Sequence, residues 1–352
     1  MKRFLSILLC ATLVITACSC KNKKAVSIDL SDSTTSKTSS ANLATSSEIT
    51  VSESPSSNTK TSSKTHSEPI TTSKTGSSSS KEQTSSQNRQ NELQQNQIIN
   101  SVQLFNYTVN DPNNLRGLST EKRGYSFGIA KDGKPHSQSV INQNTFDSFE
   151  SVKALALDTK TAEKVMYLTF DNGYEYENLT ADILDTLKEK GVKAAFFITM
   201  SYAKNNKSLV QRMIDEGHIV GNHSTTHPSF PNLTRTKMAE EIALLDNYLR
   251  ENFGYTSPYF RFPAGEYSEC ALELVTSIGF RSVFWSVAYS DWDTSTQKGP
   301  DFAFSTVTSR FHPGAVILLH AVSRDNAEAL GSIIDTAISE GYSFNTLDEY
   351  FN

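Results

Sequence analysis

From residue 164 onward, short apolar runs alternate with amphipathic stretches. Runs at 165–170, 192–199, 218–222, 259–262, 280–287, 315–320 and 342–345 are long enough and apolar enough to read as buried strands. Helical stretches lie between them, and Gly191, Gly217, Gly254, Gly279 and Gly341 close most of these, as left-handed C-caps favour. The stretch 236–253 has the clearest period, with Met238, Ile242, Leu245, Leu249 and Phe253 on one face. The pattern predicts an α/β fold with parallel strands inside and helices outside, a distorted, incomplete (β/α) barrel of about seven βα units. A doubly wound open sheet is the structural alternative, disfavoured because no Gly-rich phosphate loop follows the first strand.

Upstream the pattern changes twice. Residues 101–160 are mixed, with turns marked by Asn113-Asn114, Gly117, Gly124, Gly128 and Asp132-Gly133, and read as a lead-in packed on a main domain at 161–352. Residues 21–100 carry almost no apolar content: between 31 and 80, 30 of the residues are Ser or Thr. Such a stretch buries too little surface to offset the entropy of ordering it, so a disordered linker is expected, with a root-mean-square span of roughly 50 Å. Residues 1–20 start with Lys2 and Arg3, continue apolar from Phe4 to Ile15 and end near Thr16-Ala17-Cys18, the plan of a secretory signal. Small residues before Cys18, with Ile15 three positions upstream, resemble a bacterial lipobox. Cys18 is then the lipid anchor, and an ordinary cleaved signal is the competing reading. An extracytoplasmic protein, anchored to the cell membrane and facing the cell wall, is expected.

Charge and cysteine content narrow the classes further. In 352 residues the formal net charge is −5, and no basic cluster accompanies aromatic residues, so nucleic-acid binding has no support. Beyond Cys18 only Cys20 and Cys270 remain, which argues against a disulfide framework.

The predicted strands end in polar side chains, at the end where barrels of this class carry their function. The first ends at Asp171-Asn172 and the third at His223, with His227 four residues on. The fourth ends at Arg261 before Pro263-Ala264-Gly265, the fifth runs through Trp285 to Asp291-Trp292, and the sixth ends at His320. Four-residue spacing brings two imidazoles to one side of a helical turn or tight loop, as a divalent metal requires. Singly, each has an ordinary reading: a turn at Asp171, surface histidines, a core histidine at 320, packing tryptophans.

Together they resemble the polysaccharide deacetylase family, which removes acetyl groups from glycans. The resemblance covers roughly 164–350 and rests on five ordered motifs: 169–173, 223–227, 261–265, 291–292 and 318–320. It implies that Asp171 is the general base, His320 the general acid, and His223, His227 and Asn172 the metal ligands. It also implies that Arg261 orients Asp171, that Asp291 tunes the charges around Arg261 and His320, and that the backbone at Ala264 adds an oxyanion donor. Trp285 and Trp292 would face substrate. Asn172 stands where the family has a carboxylate and Ala288 where it has an aspartate, so a divalent metal, zinc being expected, is held weakly.

Both departures resemble the branch that makes muramic lactam in spore-forming bacteria, as do 285–292, 320–330 and 121–128, although the lipid anchor and linker are less typical of it. The implied partners are a peptidoglycan glycan strand and, through Cys18, the membrane, with a monomer expected. The alternatives are a deacetylase acting on glucosamine residues of peptidoglycan or another glycan, and an inactive wall-binding lipoprotein.

Overall fold

Eight consecutive buried residues, Val165–Asn172, form the strand on which the rest of the sheet is built. The computed structural model describes residues 101–352; Cys18 and the expected linker lie outside the described residues. In chain order the strands are β1 (Ser101–Leu104), β2 (Tyr107–Asn110), β3 (Arg123–Gly124), β4 (Ala154–Leu155), β5 (Val165–Asn172) and β6 (Ala195–Ile198). They continue with β7 (Ile219–Asn222), β8 (Tyr259–Phe260), β9 (Glu266–Tyr267), β10 (Arg281–Val283), β11 (Ala315–His320) and β12 (Ser343–Phe344).

The main sheet runs β11-β5-β6-β7-β8-β10-β4, with β12 also paired to β5. Every ladder in it is parallel. All seven anticipated runs therefore contribute strands. The α/β fold is a curled, incompletely closed barrel, and the open doubly wound sheet is set aside.

Two features differ from the sequence expectation. The fifth run keeps ladder pairing only over 281–283. Its backbone then crosses the sheet: Phe284 N–H donates to Leu155 O at 2.7 Å, and Ser286 and Val287 N–H both donate to Val316 O. Leu318 N–H returns a bond to Val287 O, so isolated bridges rather than a ladder close the ring at β11. The other difference is β4, which comes from the lead-in. Gln143, fully buried on helix Ser137–Asp147, pins it by accepting from Ala156 N–H at 2.7 Å and Leu157 N–H at 3.2 Å while donating to Ala154 O.

Side chains alternate along β5 as strand geometry requires. Val165 and Tyr167 join the cluster inside the barrel with Phe197 and Val316. Met166, Leu168 and Phe170 face the helices. Helix Leu179–Lys190 and helix Arg235–Phe253 each end on a left-handed glycine, Gly191 and Gly254, and the second buries Met238, Ile242, Leu245 and Leu249 as its period predicts. Burying one such side chain stabilises by roughly 1.5–3 kcal/mol, so the apolar face holds the helix and the polar strand ends are free for chemistry.

Candidate active site

The strand ends surround one cavity of about 920 Å³. Asp171, His223, His227, Ala264, Trp285, Trp292 and His320 all line it, together with Phe127, Tyr174, Thr199 and Tyr289. Asn172 does not, because the alternation that turns Asp171 inward turns its neighbour towards the helices.

Arg261 is the fixed point. It is wholly buried, and three of its donors are committed to the frame: Nε donates to Val283 O at 3.0 Å, and Nη2 to Thr169 Oγ1 at 2.8 Å and Phe284 O at 3.3 Å. Its plane lies 4.1 Å from the Phe197 ring centre. Nη1 is left to bind Asp171 Oδ1 at 2.8 Å. The second carboxylate oxygen, Oδ2, stands 3.5 Å from His223 Nε2. Burial works against ionisation of Asp171, but the Arg261 guanidinium, with His320 adding to it, outweighs burial and holds the carboxyl below the usual carboxylate range.

His223 shares its other nitrogen, Nδ1, with Arg261 O at 2.9 Å. A carbonyl only accepts, so the proton is on Nδ1 and Nε2 keeps its lone pair towards Asp171. Burial drives the His223 pKa down to about 4 and lowers that of His227, so both are neutral at neutral pH. The segment between them is a tight loop, not a helical turn. Ser224 and His227 have φ of 71° and 57°, and His227 N–H donates to Ser224 Oγ, which leaves the rings 4.8 Å apart.

Opposite them, His320 Nδ1 meets Asp291 Oδ1 at 2.7 Å while its backbone N–H donates to Oδ2 at 2.8 Å. Asn326 Nδ2 also donates to Oδ2, and Tyr289 hydroxyl donates to Asn326 Oδ1. Burial lowers the His320 pKa, but the Asp291 carboxylate more than reverses this and raises it above the ordinary histidine value. Asp291 thus has His320 and Asn326 as its direct partners. Arg261 takes Asp171 instead, because its fork is fixed by the carbonyls of 283 and 284.

Trp292 is 55% exposed, with its ring 5.8 Å from that of His320. Trp285 is half-buried, its carbonyl accepting from Tyr125 hydroxyl at 2.7 Å. Ala264 sits at φ 53°, and Gly265 beside it at φ 64° has no room for a side chain: a Cβ there would lie 2.9 Å from the Trp285 ring. Asn326, Tyr125 and Tyr289 were not singled out as site residues from sequence. Each lies in a stretch that resembles the muramic branch, but carries no strand-end or spacing signal of its own; the hydrogen bonds give each its place in the site.

A divalent cation fits these residues. His223 and His227 offer two neutral imidazoles on one side of the cavity. Asn172 Nδ2 donates to Thr180 Oγ1 at 3.3 Å, and its Oδ1 is a buried oxygen without a hydrogen-bond partner. Among the described residues no three His, Cys, Asp or Glu converge as a ligand set, and the Asn172 amide, the expected third ligand, is not among the residues that line the cavity.

Residues 158–283 match the family model for polysaccharide deacetylase, a match that ends before Asp291 and His320. The chain is 43% identical over 193 residues to the peptidoglycan-N-acetylmuramic acid deacetylase PdaA of Bacillus subtilis, covering 54% of this chain and 72% of that protein. It is 34% identical over 190 residues to a peptidoglycan-N-acetylglucosamine deacetylase of Bacillus cereus, covering 52% and 67%. The solved structure of Bacillus subtilis PdaA, described as a family 4 carbohydrate esterase, superposes with a TM-score of 0.61 at 37% identity, covering 66% of this chain and 97% of that one.

Proposed function

The chain belongs to the polysaccharide deacetylase family, the family 4 carbohydrate esterases, and from that premise we propose how its strand ends deacetylate peptidoglycan. It is a cell-wall deacetylase, a hydrolase of non-peptide carbon–nitrogen bonds. We propose N-acetylmuramic acid as the sugar acted on. The observation that carries the mechanism is the placement of an ionised carboxylate, Asp171, and a raised-pKa imidazole, His320, on one cavity.

Amide hydrolysis needs water deprotonated, an oxyanion stabilised and the leaving nitrogen protonated. Asp171, aimed by Arg261, takes a proton from the attacking water. A carboxyl held below its usual range is fully ionised at neutral pH but is a weak base, so the water must itself be acidified. His223 and His227 would hold the cation, with zinc the metal proposed. When bound, that cation supplies Lewis-acid polarisation at the acetyl carbonyl. His320, kept protonated by Asp291, gives its proton to the departing nitrogen. The carbon–nitrogen bond breaks to release acetate and a glycan amine. The backbone N–H at Ala264 is proposed as an oxyanion donor, with Trp285 and Trp292 against the sugar.

Muramic acid is favoured by the higher identity to the muramic enzyme and by Asn172, which stands in place of the family's carboxylate. The amine freed there lies next to the lactyl carboxylate, and ring closure with loss of water would give the lactam. Attachment through Cys18, with the linker letting the domain search the wall, is the proposed location. The test is mass spectrometry of muropeptides after incubating peptidoglycan with the protein. Acetyl lost from muramic acid supports the reading, and acetyl lost from glucosamine alone replaces it with the second substrate.

A further inference from the structure

Next to Asp291 and His320 stand two residues that the proposed chemistry does not use, Asn326 and Tyr289. Asp291 is only 2% exposed, so protein donors must stabilise its charge. His320 Nδ1 meets Oδ1 at 2.7 Å, while Oδ2 accepts from His320 N–H at 2.8 Å and from Asn326 Nδ2 at 2.6 Å. Asn326 is itself wholly buried and held from two sides. Its backbone N–H donates to Ser323 Oγ, the N-cap of helix Arg324–Ser339, and its Oδ1 accepts from the Tyr289 hydroxyl at 2.6 Å.

The carboxylate sets the direction of every bond. It only accepts, so the Asn326 NH2 must face it, Oδ1 is turned to Tyr289, and Tyr289 spends its one proton there. Burial, with Asp291 and Asp325 nearby, raises the Tyr289 pKa, so the hydroxyl keeps that proton. Tyr289 and Asn326 thus form a short run of aligned dipoles with positive ends towards Asp291, and bonds aligned in this way strengthen one another. They take up part of the charge that Asp291 would otherwise offer to the imidazole. This matters because a general acid works best with a pKa near the working pH, and an imidazolium held too firmly does not release its proton.

We propose that Asn326, backed by Tyr289, is a positioning residue that moderates the Asp291–His320 pair: it draws on one oxygen of the carboxylate, so that the imidazolium at the other stays acidic enough to protonate the leaving nitrogen. This rests on the reading of His320 as the general acid. The other charged or titratable groups that act on His320 are Asp171, Arg261 and His227, and the test leaves all three in place.

The test is the titration of His320 itself, read by nuclear magnetic resonance from its ring signals in the full chain and assigned by their loss in His320→Ala, with the pH profile of acetate release measured alongside. Asn326→Leu keeps the side-chain shape and removes the donor. The His320 midpoint and the alkaline limb of kcat/KM should both move to higher pH, by about half a unit or more, the reverse of the shift expected for Asp291→Asn. The rate on the plateau should fall about tenfold in kcat with KM little changed, a part of what general acid catalysis contributes. Tyr289→Phe should move the midpoint in the same direction by less, and serves as the test should Asn326→Leu fail to fold by near-ultraviolet circular dichroism. A midpoint unmoved, or moved to lower pH, overturns the proposal. His320→Ala separates the two levels. If it abolishes acetate release while Asn326→Leu leaves the midpoint in place, the moderating role is refuted and the acid assignment stands; if His320→Ala releases acetate as the unaltered chain does, or the unaltered chain releases none, both fall.

Discussion

Arg261 settles what Asp171 does. With Nε and Nη2 committed to carbonyls and Thr169, its remaining Nη1 binds one carboxylate oxygen and leaves the other facing His223 and the cavity. Replacing Asp171 or His320 by Ala removes the proton acceptor or donor, and each should lower acetate release by about 10²–10⁴-fold with circular dichroism unchanged. Near-wild-type release in either variant would end the assignment. The Asp291–His320 pair makes a pH prediction. The folded His320 pKa lies above the ordinary value of 6.5, so the imidazolium persists above that pH and is lost only as pH rises through the raised pKa. Asp291→Asn removes the anion that raises it, and the alkaline limb of kcat/KM should move to lower pH. An unmoved limb would mean that another group sets it.

At the scale of elements, what the sequence reveals follows from how each strand is held. β5 carries eight consecutive buried residues and β11 five, and a titratable group, Asp171 or His320, stands at or next to the end of each, so both strand and site residue are legible from pattern alone. β4 is two residues long and depends on Gln143, eleven positions before its first residue on a helix with little apolar period, and nothing in its own sequence marks it. Gln143→Ala would leave two backbone N–H groups and one carbonyl of the β4 segment short of a partner, and should lower unfolding free energy by about 1–3 kcal/mol in urea titration. A loss within error would show that β4 is held by packing alone. The HSTTH loop reads as metal-like by spacing, but its left-handed residues at 224 and 227 are invisible to pattern. Asn326 has no strand-end signal of its own and takes its place in the site through its bonds to Asp291 and Tyr289.

For the whole molecule, buried neutral histidines set an acid limit. His218, whose Nδ1 accepts from Ala194 N–H, has its pKa lowered to about 4 by burial, with Lys193 adding to the effect, and His223 is lowered as far. The unfolded chain protonates both near 6.5 and the folded chain does not, so the stability they contribute is whole above pH 6.5 and declines until about pH 4. Urea midpoints should fall across that window; a flat profile from pH 6.5 to 5 would contradict it. The barrel brings five separate strand ends onto one cavity, and the central claim is that this cavity removes acetyl from N-acetylmuramic acid. The direct measurement is mass spectrometry of muropeptides from purified peptidoglycan incubated with the full chain, with Asp171→Ala as control. Acetyl lost from muramic residues, and not with the variant, is the predicted result. Acetyl lost only from glucosamine residues, or no loss at all, would contradict it.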